Sequence, residues 1–408
     1  MEQKHDVAIV GGGLNGTALA LSLAQAGLTV VVLDRAPIDI RADAGFDGRS
    51  YALALASQRL LAAIGLWDGL KISAQPILKV LASDGRPGEG ASPWVLDLDH
   101  AEIEEGPMGY MVEDRALRPV LLDAVARNDA ITHIGGAEVI AQSANAGGVS
   151  VTCADGSVRN ARLLIGADGR QSGTAERAGI AYDRKDYGQD ALVCAVAHEH
   201  PHNGIAHQFF MPNGPLAILP LVGNKSAIVW SEDRGVADEL HKGSDADFLE
   251  ALMPRFGDFL GEITLCGARY RYPLGLSLAK SFVGDRMVLI GDAAQGVHPI
   301  AGQGLNQGLR DIATLAQVLA DAHRRGEDIG APDVLERHRQ WRSFDRTALV
   351  MATDGFNRLF SNNNLVLRFG RDLGMAAVSA LPGLRRRVMR EAAGLNGDVP
   401  RLLKGQPV

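Results

Sequence analysis

The sequence predicts an α/β fold: a Rossmann-like nucleotide-binding domain, an inserted antiparallel β-sheet domain and a helical C-terminal region. Three observations carry this. Residues Gly11-Gly12-Gly13-Leu14-Asn15-Gly16 set a G-x-G-x-x-G spacing between a strand-like run, Val7 to Val10, and an Ala/Leu-rich helix. From Tyr182 to Arg271 the texture is alternating, aromatic and rich in turns. From Gly302 onward apolar residues recur one helical turn apart, at Leu305, Leu309 and Ile312.

Length and composition bound the rest. A chain of 408 residues exceeds the usual single core, so two sub-domains sharing one interface are expected. Hydrophobic content of 46% and charged content of 22% are those of an ordinary soluble globular protein. A net charge of −7 and a pI near 5.9 exclude a dedicated nucleic-acid binder, because neutralising phosphates needs a basic surface. Cys153, Cys194 and Cys266 are scattered and lack metal-ligand or C-x-x-C spacing, which reads as reduced core thiols in a cytoplasmic protein. From Val7 to Leu33 about 27 residues carry no charge, enough to span a bilayer on length alone. The non-basic start and the glycines, with Asn15, Ser22 and Gln25, favour a nucleotide loop instead.

The first motif assigns a task to each glycine. Gly11 permits a tight turn, Gly13 lets the backbone approach a pyrophosphate, and Gly16 lets helix and strand pack closely. Gly27 ends the helix, and Leu28 to Leu33 forms a strand closing on Asp34, an acid placed to hydrogen-bond an adenosine ribose. Asp47 to Leu53 is expected to open a helix running through Ile64, with Gly65 as its stop. Arg49 is either a surface residue or a contact to the pyrophosphate. Residues Ile72 to Leu98 read as strands and turns that begin the sheet domain, with Asp84-Gly85 as a hairpin signal. The chain returns at Gly109 to Asp114, and Arg115, open to the same two readings as Arg49, heads a helix through Val125.

Strands around Glu138 to Ile140, Val149 to Cys153 and Val158 to Leu164 form a small antiparallel ribbon, ending in Gly166-Ala167-Asp168-Gly169-Arg170-Gln171-Ser172. There Asp168 either joins the nucleotide site or caps the next helix. In the sheet domain Phe209, Leu219 and Trp230 are either plain core or an inner face over an apolar substrate. His198-Glu199-His200-Pro201-His202 reads as a solvated loop rather than a metal site, because Pro201 breaks the strand. In Arg286 to Asp311 a strand, Met287 to Ile290, stops at Gly291-Asp292, crosses a Gly/Pro loop and enters a helix. That arrangement presents free backbone N–H groups to an anion or an electron-rich ring edge. Helices are expected over Ile312 to Arg324, Leu335 to Leu359 and Leu365 to Leu381. The basic cluster Leu384 to Arg390 is either a solvated helix face or a contact with acidic lipid or a partner.

The expected division is 1–71, 105–181 and 272–330 for the nucleotide-binding domain, 72–104 and 182–271 for the sheet domain, and 331–408 for the helical region.

The three glycine motifs, in this order and across essentially the whole chain, resemble the FAD-dependent aromatic monooxygenases of the para-hydroxybenzoate hydroxylase type. Within that superfamily the stretch His298 to Asp311, H-P-I-A-G-Q-G-L-N-Q-G-L-R-D, is similar to the signature of the ubiquinone-biosynthesis hydroxylases. Gly214 to Leu221 and Gly109 to Glu113 look like the same family. The resemblance implies FAD as cofactor and NAD(P)H as electron donor, without a separate nicotinamide domain. It also implies ring hydroxylation with O₂, by way of a flavin hydroperoxide, of a polyprenylated phenol on the route to ubiquinone. By position, Gly11, Gly13, Gly16 and Asp34 would hold the ADP, Arg49 and Arg115 its phosphate or ribose, and Val139 the adenine. Asp292 would hold the ribityl chain, while Gly302, Gly304, Leu305 and Asn306 would lie beneath the isoalloxazine. Asp168 and Gly169 match a motif linked to FAD and NAD(P)H. Pro299 is placed to close the loop over the flavin and orient a substrate hydroxyl; no general base is identifiable.

A bilayer-dwelling substrate implies peripheral membrane contact or a biosynthetic complex, and a homo-oligomer is compatible with the sequence. The rival readings are a hydroxylase of a small soluble aromatic and an FAD-binding subunit without turnover.

Overall fold

The structure is a computed structural model that describes residues 4–41, 49–88, 90–296, 303–343 and 378–408. The uncharged N-terminal run becomes β1 (Lys4–Val10), α1 (Leu14–Gln25) and β2 (Val30–Asp34), followed by a single turn, α2 (Ile38–Arg41). Next come β3 (Ser50–Ala54), α3 (Leu55–Ala63), α4 (Trp67–Leu70), β4 (Ala74–Ile77), β5 (Lys79–Arg86), β6 (Gly90–Asp99), β7 (Gly109–Glu113) and α5 (Asp114–Ala126). Then follow β8 (Ile131–Gly135), β9 (Val139–Asn145), β10 (Gly148–Cys153), β11 (Val158–Gly166) and α6 (Gly173–Arg177). The middle of the chain forms β12 (Tyr182–His198), β13 (Ile205–Met211), β14 (Gly214–Leu221), β15 (Lys225–Asp233), α7 (Arg234–Lys242), α8 (Asp245–Phe256) and β16 (Ile263–Ala279). After β17 (Val283–Gly284), β18 (Met287–Leu289) and β19 (Gln295–Gly296) comes the long helix α9 (Gln303–Arg324). Residues 332–343 are helical, and a C-terminal helix spans Pro382–Ala392.

The first sheet has the order β17-β18-β11-β1-β2-β8, with β10 and β9 continuing from β11. Strands β18, β11, β1, β2 and β8 are mutually parallel. Their apolar runs follow from burial on both faces. Val7, Ile9, Val30, Val32, Leu163 and Ile165 pack into the cluster that holds Leu19, Ile312 and Leu315. Ala8, Val10, Val31, Leu33 and Leu164 pack into a second cluster on the other side. All five parallel strands end on one rim, so Gly11, Asp34, Ala167 and Gly291 leave the sheet at the same edge.

The second sheet runs β19-β16-β12-β15-β14-β13-β5-β6 and is antiparallel except where β13 meets β5. Strands β3, β7 and β4 form a small third sheet. One face of the second sheet is covered by α8, through Phe248, Leu252 and Phe256. The opposite face packs Ala195, Ala206, Leu221 and Ala227 against Ile77, Met108 and Met111, where the second and third sheets meet.

Several expectations are corrected. Ser50–Ala54 is a strand, with the helix delayed to Leu55, because β3 finds a full antiparallel partner in β7; tertiary pairing overrides the local Ala/Leu pattern. Asp84-Gly85 lies inside β5 and is no turn, since Gly85 already pairs with Ala91 of β6. Strand β11 is more than the rim of a ribbon: it also pairs with β1 in the middle of the first sheet. The boundary at 271/272 falls inside β16, which stays paired with β12 as far as Ala279. The first insertion starts at β5 rather than at residue 72, because β4 belongs with β7. Helix α9 begins at Gln303, and the expected helices over Leu335–Leu359 and Leu365–Leu381 fall largely outside the described residues.

Candidate cofactor site

At the nucleotide end, α1 starts from Gly13, no side chain caps its N-terminus, and its first turn holds no acid. A Cβ on Gly13 would meet no described residue within 4 Å, so among the described residues nothing crowds this corner. The flanking glycines are there for packing. Gly11 has φ +108°, and a Cβ would stand 2.4 Å from the Ala167 carbonyl oxygen; on Gly16 it would stand 1.9 Å from the Gly11 carbonyl oxygen. A 12-residue helix whose N-cap is a glycine without a side-chain cap suits a diphosphate, whose charge the N–H groups and the helix dipole favour.

Asp34 is buried at the end of β2, and its Oδ1 accepts the Ala36 N–H at 3.0 Å. Gly12, which the motif leaves as a free position, is crowded like Gly11: a Cβ there would stand 2.7 Å from both Asp34 Oδ2 and His133 Nε2. The run of three glycines was the available signal. Val139 opens β9 two residues after Ala137, whose N–H donates to the Asp34 carbonyl at 2.8 Å. Its own carbonyl accepts from Arg177 Nη1 at 3.0 Å.

The two candidate arginines differ. Buried Asp114 accepts the Tyr51 hydroxyl at 2.9 Å and Arg118 through Nη2 at 2.7 Å and Nε at 3.0 Å. Arg49 lies 3.4 Å from the same carboxylate, so Asp114 anchors it to the start of α5. Burial first, then the Asp114 charge, pushes the Tyr51 phenol well above its usual pKa and keeps it a hydrogen donor. Arg115 instead donates from Nε to Glu113 at 2.5 Å. Sequence reasoning passed over Asp114 and Arg118; their i,i+4 spacing on a helix was the clue.

At the other end, Gly291 has φ +57° and its N–H donates to Asp311 Oδ2 at 3.0 Å. Asp292 follows, and its Oδ2 faces Arg170 Nε at 3.4 Å, with side chains 42% and 45% exposed respectively. Asp168 is occupied locally: it accepts Ser172 Oγ at 2.5 Å, and both the N–H and Oγ1 of Thr174 at 2.9 Å, which fastens the start of α6. The N-cap of α6 is Ser172, whose Oγ accepts the Ala175 N–H at 3.0 Å, and Asp168 supports that cap from one turn before it, while Gly169, at φ +83°, makes the turn. The three glycine loops meet here: Gly11 lies on Ala167, Arg170 on Asp292, and Asn15 against Gly291.

Helix α9 contributes Gly304, where a Cβ would meet no described residue within 4 Å, and Leu305, which packs against the core of the first sheet. Asn306 is buried and turned inward. Its Oδ1 accepts the Ala54 N–H and Ser57 Oγ, both at 2.8 Å, and its Nδ2 donates to the Ala52 carbonyl at 2.8 Å. Its side chain thus ties α9 to β3 and α3. Pro299 and Gly302 lie outside the described residues.

The proposed inner face is corrected for two of its three residues. Phe209 and Trp230 point to the side covered by α8, in one cluster with Phe248 and Phe256, and the Arg255 guanidinium sits 4.7 Å from the Trp230 ring centroid. They are core, as strand alternation requires once Leu216 and Ile218 share that face. Leu219 lies on the opposite face, toward Ile77 and Met111. His198 and His202 spend their rings locally: His198 Nδ1 lies 2.7 Å from the His200 carbonyl, and His202 Nε2 lies 2.8 Å from that of Leu221.

Comparison with known proteins agrees with this geometry. The FAD binding domain family matches residues 4–343. Ubiquinone hydroxylase UbiL of Rhodospirillum rubrum is 45% identical over 406 residues, covering 99% of this chain and 93% of the relative. The 3-demethoxyubiquinol 3-hydroxylase of Escherichia coli is 33% identical, covering 96% of this chain and 99% of the relative. Among solved structures, p-nitrophenol 4-monooxygenase PnpA of Pseudomonas putida superposes with a TM-score of 0.78 at 20% identity, covering 98% of this chain and all of the other, which speaks to the fold. A rim where three glycine loops meet, a family match over most of the chain and relatives matched over nearly their whole length lead to one conclusion: the chain belongs to the FAD-binding-domain family, among the FAD-dependent aromatic hydroxylases.

Proposed function

We propose that the protein hydroxylates the aromatic ring of a polyprenylated phenol in ubiquinone biosynthesis. The observation that carries this reading is its full-length relationship to the ubiquinone hydroxylases, UbiL above all. FAD, when bound and reduced, supplies the activation of O₂ needed to put one oxygen atom on an electron-rich ring. The balanced reaction takes a ring C–H, O₂, NAD(P)H and a proton to a ring C–OH, water and NAD(P)⁺.

The chain's own residues have supporting tasks. In this reading the α1 N-terminus at Gly13 binds the diphosphate, Asp34 the ribose, and Arg49, held by Asp114, stands ready for a phosphate oxygen. Arg115, Val139, Asp168 and Gly169 frame the same rim, and Asp292 holds the ribityl chain. Leu219, on the apolar face between the second and third sheets, helps keep water from the reacting ring. Pro299 orients a substrate hydroxyl over the flavin, and Gly302 lies beneath the isoalloxazine.

The substrate's apolar tail calls for contact with a membrane surface or a biosynthetic complex. Exposed Leu381 and Leu384 with exposed Arg386 and Arg387 suit such contact. The patch is smaller than the basic cluster suggested, because Arg385 and Arg390 pair with Glu102 and Glu105. No helix among the described residues is long and apolar enough to cross a membrane. Deleting the gene in its host should lower ubiquinone and accumulate an under-hydroxylated prenylphenol, whose mass identifies the ring carbon; normal quinone would overturn the proposal.

A further inference from the structure

We infer that Asp311, locked by Arg342, is a positioning residue that fixes the Gly291-Asp292 turn in the conformation that receives FAD. The inference rests on the FAD-site reading and extends it to residues away from the rim.

Gly291 is held on two sides. Its N–H, two residues past the end of β18, is taken by Asp311 Oδ2 at 3.0 Å. Against its Cα lies the Asn15 amide: a Cβ on Gly291 would stand 2.1 Å from Asn15 Nδ2, and one on Gly308 would stand 2.5 Å from the same atom. Asn15 on α1 therefore fills a notch left by two glycines, one on the turn and one on α9. With φ +57° at Gly291, the chain is bent so that Asp292 emerges onto the rim beside Arg170.

The second Asp311 oxygen accepts Arg342 Nε at 2.7 Å, and Arg342 Nη2 reaches Gln307 Oε1 at 3.1 Å, one turn earlier on α9. Arg342 is wholly buried and Asp311 nearly so. Burying such a pair is a poor route to stability, because desolvation offsets the attraction and an apolar pair of similar size often does as well. What the pair does supply is direction. It holds one carboxylate at a set angle, with an oxygen aimed at a single loop amide, much as outer partners orient the groups that contact a ligand.

The test compares double substitutions that remove both charges of this pair together. Asp311→Ala with Arg342→Met keeps neutrality and most of the arginine's volume but leaves the Gly291 N–H without the Asp311 acceptor. Asp311→Asn with Arg342→Gln keeps a carbonyl oxygen for it. Two measurements are made: the FAD dissociation constant by flavin fluorescence, and the FAD-induced rise in Tm of the FAD-free protein. The Ala/Met protein should bind FAD about tenfold more weakly or worse and show a smaller FAD-induced rise, while the Asn/Gln protein should stay within about threefold of wild type. If the Ala/Met protein instead binds FAD within about twofold of wild type, the pair is only structural and the inference is wrong. These measurements involve no aromatic substrate. A failure of the ubiquinone assignment would leave them unchanged.

Discussion

Asn306 Oδ1 lies 2.8 Å from Ser57 Oγ, across 249 residues of sequence, and the same oxygen takes the N–H of Ala54. Helix α3 has no side-chain cap of its own, so an asparagine on α9 fixes the corner at its start. The amide nitrogen completes the tie by donating to the Ala52 carbonyl.

Substituting Asn306→Ala therefore leaves buried Ala54 and Ser57 donors and the Ala52 acceptor without this partner. Each stranded buried group costs about 1–3 kcal/mol, less whatever water recovers, so a net loss of roughly 2–4 kcal/mol is expected. Urea unfolding of FAD-free protein measures it. A loss below about 0.5 kcal/mol would show that the tie is dispensable.

The glycine loop makes a prediction by contrast. Gly13 sits at φ −74° with open space around its missing side chain, so Gly13→Ala should fold as well as wild type or slightly better. Its penalty should appear in FAD affinity, because the added methyl stands where the diphosphate approaches. Gly16→Ala places a methyl 1.9 Å from the Gly11 carbonyl oxygen, a backbone atom that has nowhere to go. That protein should lose stability before any ligand is added. Equal apoprotein Tm values for the two variants would contradict the division of labour.

Much of this site was legible because its parts are local. The turn at Gly11 to Gly16, the strand ending on Asp34 and the turn at Gly291-Asp292 each declare themselves within a few residues, through spacing and apolar runs. What sequence could not give was direction across the fold. The strand alternation of Phe209 and Trp230 was readable, but which face α8 covers is decided by residues some 20 to 40 positions away. Asn306 sits inside the most distinctive motif, yet it hydrogen-bonds to residues 52–57, some 250 positions earlier. The Asp114 network and the Arg342 lock were missed for the same reason. Their charges look like ordinary helix-surface residues until packing buries them.

His207 makes the last prediction, because its environment opposes charge. It lies on β13 with its ring centroid 4.4 Å from that of Phe259 and 5.9 Å from that of Phe209. Burial lowers its pKa from 6.5 to about 4. The folded state thus keeps the ring neutral where the unfolded chain already binds a proton. As pH falls below about 6.5 the unfolded state gains a proton that the folded state refuses, so stability declines until the folded ring also titrates near 4. The slope from one such group is at most ~1.4 kcal/mol per pH unit. His198 and His5 are lowered by burial in the same sense, so the wild-type slope is a sum and the informative quantity is a difference. His207→Leu should flatten the decline in unfolding free energy between pH 6.5 and pH 4 relative to wild type while leaving FAD affinity unchanged, since the residue stands on the α8-covered face of the sheet. Parallel wild-type and variant curves over that window would mean that the ring is protonated in the folded protein and that its aromatic packing does not exclude charge.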